Sequence, residues 1–567
     1  MTASASTAGL TALDGVVVAA YLAGMLAMGV WIARRQRSTE DFFVGGRNLP
    51  AWAVGISIFA SLFSTITYLG MPGEMFRSGL YYLTRELPIP LVLCVVWFVW
   101  LPFFMRLELT SAYEYLEKRF NYAVRALAAA FCLLLLFGWI SVVVLTASRA
   151  MAGITRLSLD STWAAEWLGV SGEDAAMYAI IAAVGLFSVL YTTLGGIRAV
   201  VWTDVVQFLI LMAGAFFTMG AVASMSGSTP GDWIAVAGRQ KYEHVEWFDW
   251  DVRTRSSVFT IALGMFFWFV CTHGANQIAL QRYFSVKSMW AARRSYLTSA
   301  LASTFIGVTM AGVGISLMYF VQDHELPSKA ALASEAAGER IAAQDGLFPE
   351  FIRVYLPSGM RGLVIAALFA AAMSTIDSGS NSAATIVTVD FFRRWRRDTD
   401  RRHELRRARM LTAASGLIVV AYTIFLYRVS KGTDIITLCQ KGFNCFLGPL
   451  GALFVLAMFS RRATSRSVIP AFLLGELVGV AASYWQELTA LAANHWGGSV
   501  AALVGGELIT AAGGDSRYAG MPFSTHLVVV SSWLVTLVAG LVLSSVLRTR
   551  ATAEQQRWTW GAVARGS

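Results

Sequence analysis

A stripe of small and polar residues marks one strongly apolar segment, residues 366–390. Its members recur at helical spacing, namely Ala371, Ser374, Ser378, Asn381 and Thr385. A helix would place them on one face, with Thr375 and Asp377 on its flanks. Small residues also let membrane helices approach closely, so packing is the alternative explanation for Ser378 and Asn381. Close packing requires no carboxylate, whereas a dehydrated hard cation prefers hydroxyl, carbonyl and carboxylate oxygens, so Asp377 favours a cation site.

Two apolar segments carry helix-breaking residues near their middle. Residues 51–79 contain GMPG at 70–73, and Pro72 would free the carbonyl of Tyr68. A matching interruption, GANQ at 274–277, lies five apolar segments later. A kink is the simple explanation, but unwound backbone at membrane depth is tolerated where it lines a cavity, and its carbonyls can bind an ion. Breaks at corresponding positions of two halves predict an inverted-repeat transporter.

Four further ionisable residues lie within or at the ends of apolar segments. Asp204 could bind a cation or simply complement a helix dipole. Glu86 could contact a substrate or pair with Arg85, and Lys441 could offset an anionic substrate or pair with a carboxylate. His273 is a candidate ligand or a hydrogen-bonded buried histidine. Each needs a reason, because a charge deep in a span costs roughly 2.5 to 3.5 kcal/mol on insertion scales.

The elements that must position these residues are membrane helices. The chain has 567 residues, of which 56% are hydrophobic and 14% charged, with a mean hydropathy of +0.58. Soluble domains carry about 25% charged residues. Thirteen apolar windows of about 20 residues follow one another between residues 12 and 547, so the sequence predicts an all-α polytopic membrane protein of about 13 transmembrane helices.

The net charge of +10 is explained by membrane orientation. Alternate connections between the windows hold 29 of the 45 lysines and arginines, which predicts an outside N-terminus and a cytoplasmic C-terminus. Nine of these arginines lie at 393–409, where a nucleic-acid or regulatory patch is the alternative. No positive charge precedes the first window, so residues 12–34 are predicted to be a retained helix rather than a signal peptide.

Several function classes are disfavoured by what the sequence contains. Its five cysteines form no CxxC pair and lie near no histidine at ligand spacing, which argues against disulfides and zinc. Neither HExxH, GxSxG nor a P-loop is present, so an enzyme is not expected.

Six segments then show a family resemblance. They are DFFVGGRNLPAWAVGISIFAS, LELTSAYEYLEKRF, TTLGGIRAVVWTDVVQ, ANQIALQRYFSVKS, YLPSGMRGLVIAALFAAAMST and GPLGALFVLAMFSRR, in order from about residue 40 to 466. In this order they resemble the sodium:solute symporter family, and the early segments are more similar to its iodide, monocarboxylate and vitamin branch than to its sugar branch.

The resemblance implies a leucine-transporter-like core of two inverted five-helix repeats. The expected organisation is a peripheral helix and cytoplasmic loop (1–50), a first repeat (51–226), an extracellular loop (227–255), a second repeat (256–458), two peripheral helices (459–547) and a cytoplasmic tail (548–567).

The resemblance also implies the site residues. A first sodium site would use Ala60, Phe63, Ala371, Ser374 and Thr375, and a possible second site Asp204, Ser374, Asp377 and Ser378. The substrate candidates are Thr67, Glu86, Phe269, Thr272, His273 and Lys441. The amide residues of sugar-transporting members are absent at Thr67 and Phe269, which argues against a sugar.

The expected function is sodium-coupled import of a small organic solute or anion by alternating access. Sodium is the coupling ion and no cofactor is expected. The alternatives are a proton-coupled symporter of the same fold, in which Asp204 or Asp377 titrates, and a transporter-like solute sensor. The protein is expected to span the cell membrane as a monomeric functional unit, without a nucleic-acid partner.

Overall fold

A computed structural model defines the fold of most of the chain. It describes residues 10–34, 38–157, 159, 169–239, 248–254, 257–324, 337–395, 401–430, 435–485, 487–489, 491, 507–510, 516–519, 523–548 and 550–565. Within these residues, 12 helices are long and apolar enough to cross a membrane, and a bent pair of shorter helices brings the number to as many as 13. The prediction of about 13 transmembrane helices is therefore confirmed.

The helices up to the middle of the chain are α1 (Ala12–Ala33), α2 (Thr39–Val44), α3 (Ala51–Leu62), α4 (Thr65–Ser78), α5 (Ile89–Val95), α6 (Leu101–Phe104), α7 (Glu114–Arg119), α8 (Tyr122–Thr155), α9 (Gly172–Ser226), α10 (Pro230–Arg239), α11 (Val258–Ala275) and α12 (Gln277–Tyr283). A π-helical turn joins α5 to α6, and 3₁₀ turns occupy Gly45–Arg47 and Gly79–Glu86. The long α9 contains two candidate spans, Gly172–Thr193 and Gly195–Ser226, with a kink at Gly196, whose φ is 53°.

The later helices are α13 (Met289–Asp323), α14 (Ala337–Tyr355), α15 (Met360–Ile386), α16 (Arg393–Trp395), α17 (Arg401–Val429), α18 (Ile435–Cys439), α19 (Cys445–Phe459), α20 (Ser465–Ser483), α21 (Val528–Val546), α22 (Ala553–Gln556) and α23 (Trp560–Arg565). π-helical segments Val387–Phe392 and Gln440–Asn444 precede α16 and α19, and a 3₁₀ turn, Thr525–Leu527, precedes α21. One antiparallel ribbon, β1 (Glu507–Thr510) with β2 (Ser516–Ala519), pairs Glu507 with Ala519 and adds a small element to the all-α fold.

The chain divides into two compact units. The first unit comprises residues 1–83, 136–242 and 281–435, and the second comprises 84–135, 243–280 and 436–567. In the first unit, α15 packs against α1, α3, α9 and α17. Alanine, serine and glycine dominate α15, so its neighbours approach closely and nearly every side chain from Val364 to Ile386 is buried. The predicted repeat boundaries, 51–226 and 256–458, remain a prediction.

The first helix break lies earlier than the sequence indicates. The chain is extended at Phe63 and Ser64, and α3 and α4 meet there at a 64° bend. The prediction of a break at GMPG, residues 70–73, was wrong because α4 continues through Pro72. One missing backbone hydrogen bond is tolerated within a membrane helix. The second interruption is confirmed at Asn276, which is extended between α11 and α12.

In the second unit, α19, α20 and α21 pack together, with α11 against α19. The chain after α21 also contacts this unit: the Trp560 indole donates to the carbonyl of Val99 at 3.0 Å, and the Gln555 amide donates to that of Phe120 at 3.1 Å. Arg119 is fully buried and caps the end of α19 through the carbonyls of Ala457 and Ser460 at 2.9 and 2.5 Å. Arg119, counted from the sequence among the basic residues that mark the cytoplasmic side, therefore points into the protein.

Candidate functional site

The break between α3 and α4 sets out an array of oxygen atoms. The carbonyls of Ala60 and Ser61 lie in the last turn of α3, directly before the extended residues. They accept hydrogen bonds from side chains of α15: Ser374 Oγ lies 2.9 Å from the oxygen of Ala60, and Thr375 Oγ1 lies 3.4 Å from that of Ser61. Hydroxyl groups of one helix thus satisfy backbone carbonyls of another.

Four of the five residues predicted for the first sodium site lie in this array. Ser374 and Thr375 also contact the carbonyl of Ala371, at 3.2 and 3.5 Å, so Ala60, Ala371 and the two hydroxyls form one hydrogen-bonded group. The fifth, Phe63, is the first extended residue of the break, and its ring lies 5.1 Å from that of Phe59. Carbonyl and hydroxyl oxygens converging at a broken helix are the ligands that a sodium ion requires.

A second group surrounds Asp204, which is fully buried in α9. Its Oδ2 atom lies 2.5 Å from Ser57 Oγ and 3.4 Å from Ser61 Oγ, both on α3. Ser61 Oγ in turn lies 2.7 Å from Ser378 Oγ of α15. Asp204 Oδ1 accepts no hydrogen bond from the described residues. Two residues of the predicted second site, Asp204 and Ser378, therefore lie in one hydrogen-bonded group. Ser57 and Ser61, which the prediction did not include, belong to the same group.

Arg282 completes this second group and was missed from the sequence. Its guanidinium is fully buried, with Nη2 at 3.4 Å from Asp204 Oδ2 and 2.5 Å from Ser378 Oγ, and Nε at 2.8 Å from Ser57 Oγ. The orientation count placed Arg282 among the basic residues of the cytoplasmic side, and its burial beside Asp204 was not predicted. The predicted break at Asn276 was the available signal for this buried residue, because Arg282 lies on α12, the helix that follows the break.

The two groups are joined through shared residues. Ser61 contributes its carbonyl to Thr375 and its hydroxyl to Ser378, while the carbonyl of Ser374 accepts from Ser378 at 2.6 Å. The two groups are therefore in direct hydrogen-bond contact. The i, i+4 spacing of Ser57 and Ser61 places both hydroxyls on one face of α3, a pattern visible in the sequence.

Asp377 lies in a different hydrogen-bonded group from Asp204. Its two carboxylate oxygens accept from the hydroxyls of Tyr191 and Thr192 on α9. Gln207 donates to Tyr191 at 3.4 Å. Because Asp377 and Ser378 are consecutive, they point about 100° apart around α15. These hydrogen bonds separate Asp377 from the other residues of the predicted second site.

The remainder of the polar stripe contacts Gln281 of α12. Its amide nitrogen donates to Asn381 Oδ1 at 2.8 Å, to Thr385 Oγ1 at 3.0 Å and to the carbonyl of Phe43 at 2.6 Å. Hydrogen bonds between α15 and α12 thus account for Asn381 and Thr385, which favours a packing role for this end of the stripe.

Among the substrate candidates, Thr67 belongs to α4 of the first unit and is half-buried. Three others lie in the last two turns of α11 in the second unit: Phe269, Thr272 and His273. The rings of Phe269 and His273 stack at 6.4 Å, and Thr272 Oγ1 is buried without a hydrogen-bond partner in the described chain. Glu86 lies 3.3 Å from Arg85 Nε, which realises the alternative of a pair with its neighbour.

Lys441 forms an ion pair with Glu487 in the second unit, and its ammonium also lies 5.7 Å from the ring of Tyr484. Pairing with a carboxylate was the alternative considered for this residue. Glu487 neutralises the charge that an anionic substrate would otherwise meet, so this geometry gives Lys441 no unpaired charge to offer.

A many-spanned helical protein with broken helices and buried oxygen clusters at the breaks has the architecture of an ion-coupled membrane transporter. The family model of the sodium:solute symporter family matches residues 42–475. The chain therefore belongs to the sodium:solute symporter family, a family of transporters, and is a sodium-coupled symporter. The family and the class of function predicted from the sequence are confirmed.

The chain is similar to three known proteins. The sodium/sialic acid symporter NanT of Aliivibrio fischeri is 30% identical over 480 residues, with 83% of this chain and 87% of that protein covered. The sodium/sialic acid symporter SiaT of Proteus mirabilis is 28% identical over 477 residues, covering 83% and 90%. A solved structure of a Na⁺-coupled sialic acid symporter, substrate-bound and outward-open, has a TM-score of 0.73 at 24% identity and covers 96% of this chain and 99% of that one. This last similarity confirms the leucine-transporter-like fold.

The buried pair Asp204–Arg282 yields a stability prediction. Arg282→Met leaves Asp204 buried without its cation, and Asp204→Asn leaves Arg282 without its anion; each single change is expected to lower stability by about 3–5 kcal/mol. The double variant should lose much less than the two single losses added together, because neither charge is then left unpaired. Thermal unfolding in sodium-free detergent, compared across the four proteins, measures this coupling.

Glu40→Gln provides the control, because it removes an exposed ion pair with Arg47 at 3.3 Å and should change stability by no more than about 1 kcal/mol. Additive losses in the double variant would show that Asp204 and Arg282 are not energetically coupled.

Proposed function

We propose that this protein uses the sodium gradient to import a small organic acid by alternating access. The observation that carries the proposal is the contact between α3 and α15, where Ser374 Oγ lies 2.9 Å from the carbonyl of Ala60 beside the helix break. A sodium ion bound among Ala60, Phe63, Ala371, Ser374 and Thr375 would hold α3 against α15. Such an ion favours whichever conformation keeps the two helices together, and its release permits the other conformation.

A second sodium ion is proposed at Asp204, with Ser374 and Ser378 as in the prediction and with Ser57 and Ser61 added. In this group, Arg282 Nη2 lies 3.4 Å from Asp204 Oδ2. When sodium is absent, Arg282 neutralises Asp204. Asp377 lies with Tyr191 and Thr192, so the proposal leaves it out of the second site.

The energy available is sufficient for concentrative uptake. Each sodium ion moving through about 100 mV releases roughly 2.3 kcal/mol, and a tenfold gradient adds about 1.4 kcal/mol. Two ions would supply roughly 7 kcal/mol for a neutral substrate and about 5 kcal/mol for a monoanion, which moves against the potential.

The substrate class is proposed from charge. The relatives named above are sodium/sialic acid symporters, and sialic acid is a sugar acid with one carboxylate. The amide residues of sugar-transporting members are absent at Thr67 and Phe269, which argues against a neutral sugar such as glucose. Because Lys441 is paired with Glu487, we propose no role for Lys441 in holding the carboxylate.

Membrane placement and organisation complete the proposal. We place the protein in the cell membrane with its N-terminus outside and its C-terminus in the cytoplasm. Removing the buried Arg119 and Arg282 leaves 27 of the 29 basic residues that support this orientation. The functional unit is proposed to be one chain in the bilayer, with the repeats at 51–226 and 256–458. Neither the proton-coupled alternative nor the solute sensor has a specific observation in its favour.

The first sodium site is tested by Ser374→Ala. Loss of one ligand oxygen should raise the sodium concentration for half-maximal uptake by about tenfold or abolish uptake, since each 1.4 kcal/mol of binding corresponds to a factor of ten. Uptake into proteoliposomes over a range of sodium concentrations measures the effect. Ser380→Ala is a matched control: Ser380 is buried on the same helix, and its hydroxyl has no partner among the described residues. Uptake that requires no sodium in the unaltered protein would overturn the proposal.

For the second site, we expect the Hill coefficient for sodium to fall from near two toward one in Asp204→Asn, because only the first ion still binds. The same measurement on Asp377→Asn should leave the coefficient unchanged, since Asp377 contacts a separate group of residues. An unchanged coefficient in Asp204→Asn removes Asp204 from the ion path.

The substrate class is tested by thermal unfolding of the purified protein with N-acetylneuraminate, lactate, iodide or glucose. The bound solute should raise the unfolding temperature only when sodium is present, because a ligand stabilises the state that binds it. We expect a shift with an organic acid and none with glucose. A sodium-dependent shift with glucose alone would contradict the proposed class.

A further inference from the structure

Helix α15, which carries the proposed sodium ligands Ser374 and Thr375, begins without a capping side chain of its own. Its N-cap residue is Gly359, with φ of 86°, a conformation that glycine adopts most readily. The backbone N–H groups of Gly359 and Gly362 instead donate to Asp14 Oδ1, at 2.7 and 2.9 Å. The cap of α15 is therefore supplied by α1, a helix predicted from sequence to be peripheral.

Asp14 is held in place by its own helix. The backbone N–H and the hydroxyl of Thr11 donate to Asp14 Oδ2 at 3.1 and 2.7 Å, and Asp14 is fully buried. One carboxylate thus satisfies donors at the start of two helices, and its negative charge lies near the positive end of both macrodipoles. Gly362 makes this possible, because a Cβ atom there would lie 2.7 Å from Asp14 Cα.

A second contact lies two turns further along α1. The hydroxyl of Tyr21 lies 3.6 Å from Met373 Sδ, and Met373 directly precedes Ser374. Gln207 of α9 donates to the same hydroxyl at 3.5 Å. Helix α1 therefore contacts α15 both at its first turn and beside the hydroxyls that reach the carbonyls of α3.

We propose that Asp14 is a positioning residue for sodium binding. By capping α15 from α1, it fixes the position of α15 in which Ser374 and Thr375 meet Ala60 and Ser61. The inference rests on the proposed first sodium site. Without Asp14, α15 samples more positions, and sodium must order the helix as it binds, so sodium affinity falls. Asp14 contacts the first turn of α15, roughly four turns before Ser374. It is therefore not itself a ligand of the proposed sodium ion.

The experiment measures sodium-dependent uptake by Asp14→Ala and Asp14→Asn in proteoliposomes, per amount of folded protein. The sodium concentration for half-maximal uptake should rise about tenfold in Asp14→Ala, as expected when hydrogen bonds to a charged group are lost. It should rise less in Asp14→Asn, whose amide oxygen still accepts from Gly359 and Gly362. The maximal rate at saturating sodium should stay within about twofold, because the transport steps themselves keep their residues.

Asp232→Ala is the matched control. Asp232 accepts from the backbone and hydroxyl of Thr229 at 2.8 and 2.7 Å, the same local arrangement as Asp14 with Thr11, and in the described chain it accepts from no other helix. Its loss should leave the sodium dependence unchanged. If Asp14→Ala fails to fold, the rise in unfolding temperature that sodium produces is compared between Asp14→Asn and the unaltered protein. The rise should be smaller in Asp14→Asn, because weaker sodium binding stabilises the protein less.

The outcomes separate the two proposals. An unchanged sodium dependence in both Asp14 variants, together with a raised requirement in Ser374→Ala, would overturn the positioning role and leave the sodium site standing. A lower maximal rate with unchanged sodium dependence would also overturn it, because that result indicates a general structural role. Normal sodium dependence in Ser374→Ala would overturn the proposed site and the positioning role with it.

Discussion

Backbone carbonyl groups cannot remain without partners inside a membrane, and the break between α3 and α4 creates such groups at Ala60 and Ser61. The remaining features of the site follow from this requirement. Hydroxyl groups of α15 satisfy the carbonyls, so α15 must lie close to α3, and close approach requires the small side chains that dominate α15. A sodium ion can take the place of these hydrogen bonds because it prefers the same oxygen atoms. The carbonyl oxygens that the break leaves without helical partners are therefore also atoms that can bind a sodium ion.

The two buried carboxylates of the first unit, Asp204 and Asp377, have different kinds of partner. Asp204 has the guanidinium of Arg282 and the hydroxyls of two α3 serines, whereas Asp377 has the hydroxyls of Tyr191 and Thr192. Asp204 is joined to the first proposed sodium site through Ser61 and Ser378, whereas both hydroxyl partners of Asp377 lie on α9. This difference is the reason for assigning Asp204, and not Asp377, to the proposed second sodium site.

Helix α1 lies outside the two proposed repeats but contacts the helix that carries the proposed sodium ligands. Asp14 caps α15 and Tyr21 lies beside Met373, so α1 contacts the helix that carries the proposed sodium ligands, in addition to α3 and α9. The sequence did not single out Asp14, because it follows Thr11 at the spacing of an ordinary helix cap. Its partners lie about 345 residues away along the chain.

The sequence by itself determined the membrane-spanning class, the number of spans, the family and most of the residues around the first proposed sodium site. Apolar length, helical spacing and motif order are local properties, and they can be read without knowing which helices touch. Only the tertiary structure decided where the first helix breaks, that Arg282 is buried beside Asp204, that Asp377 belongs to a separate group and that Lys441 is paired with Glu487. These depend on which helix faces meet across long separations in the chain, and neither composition nor periodicity specifies those contacts.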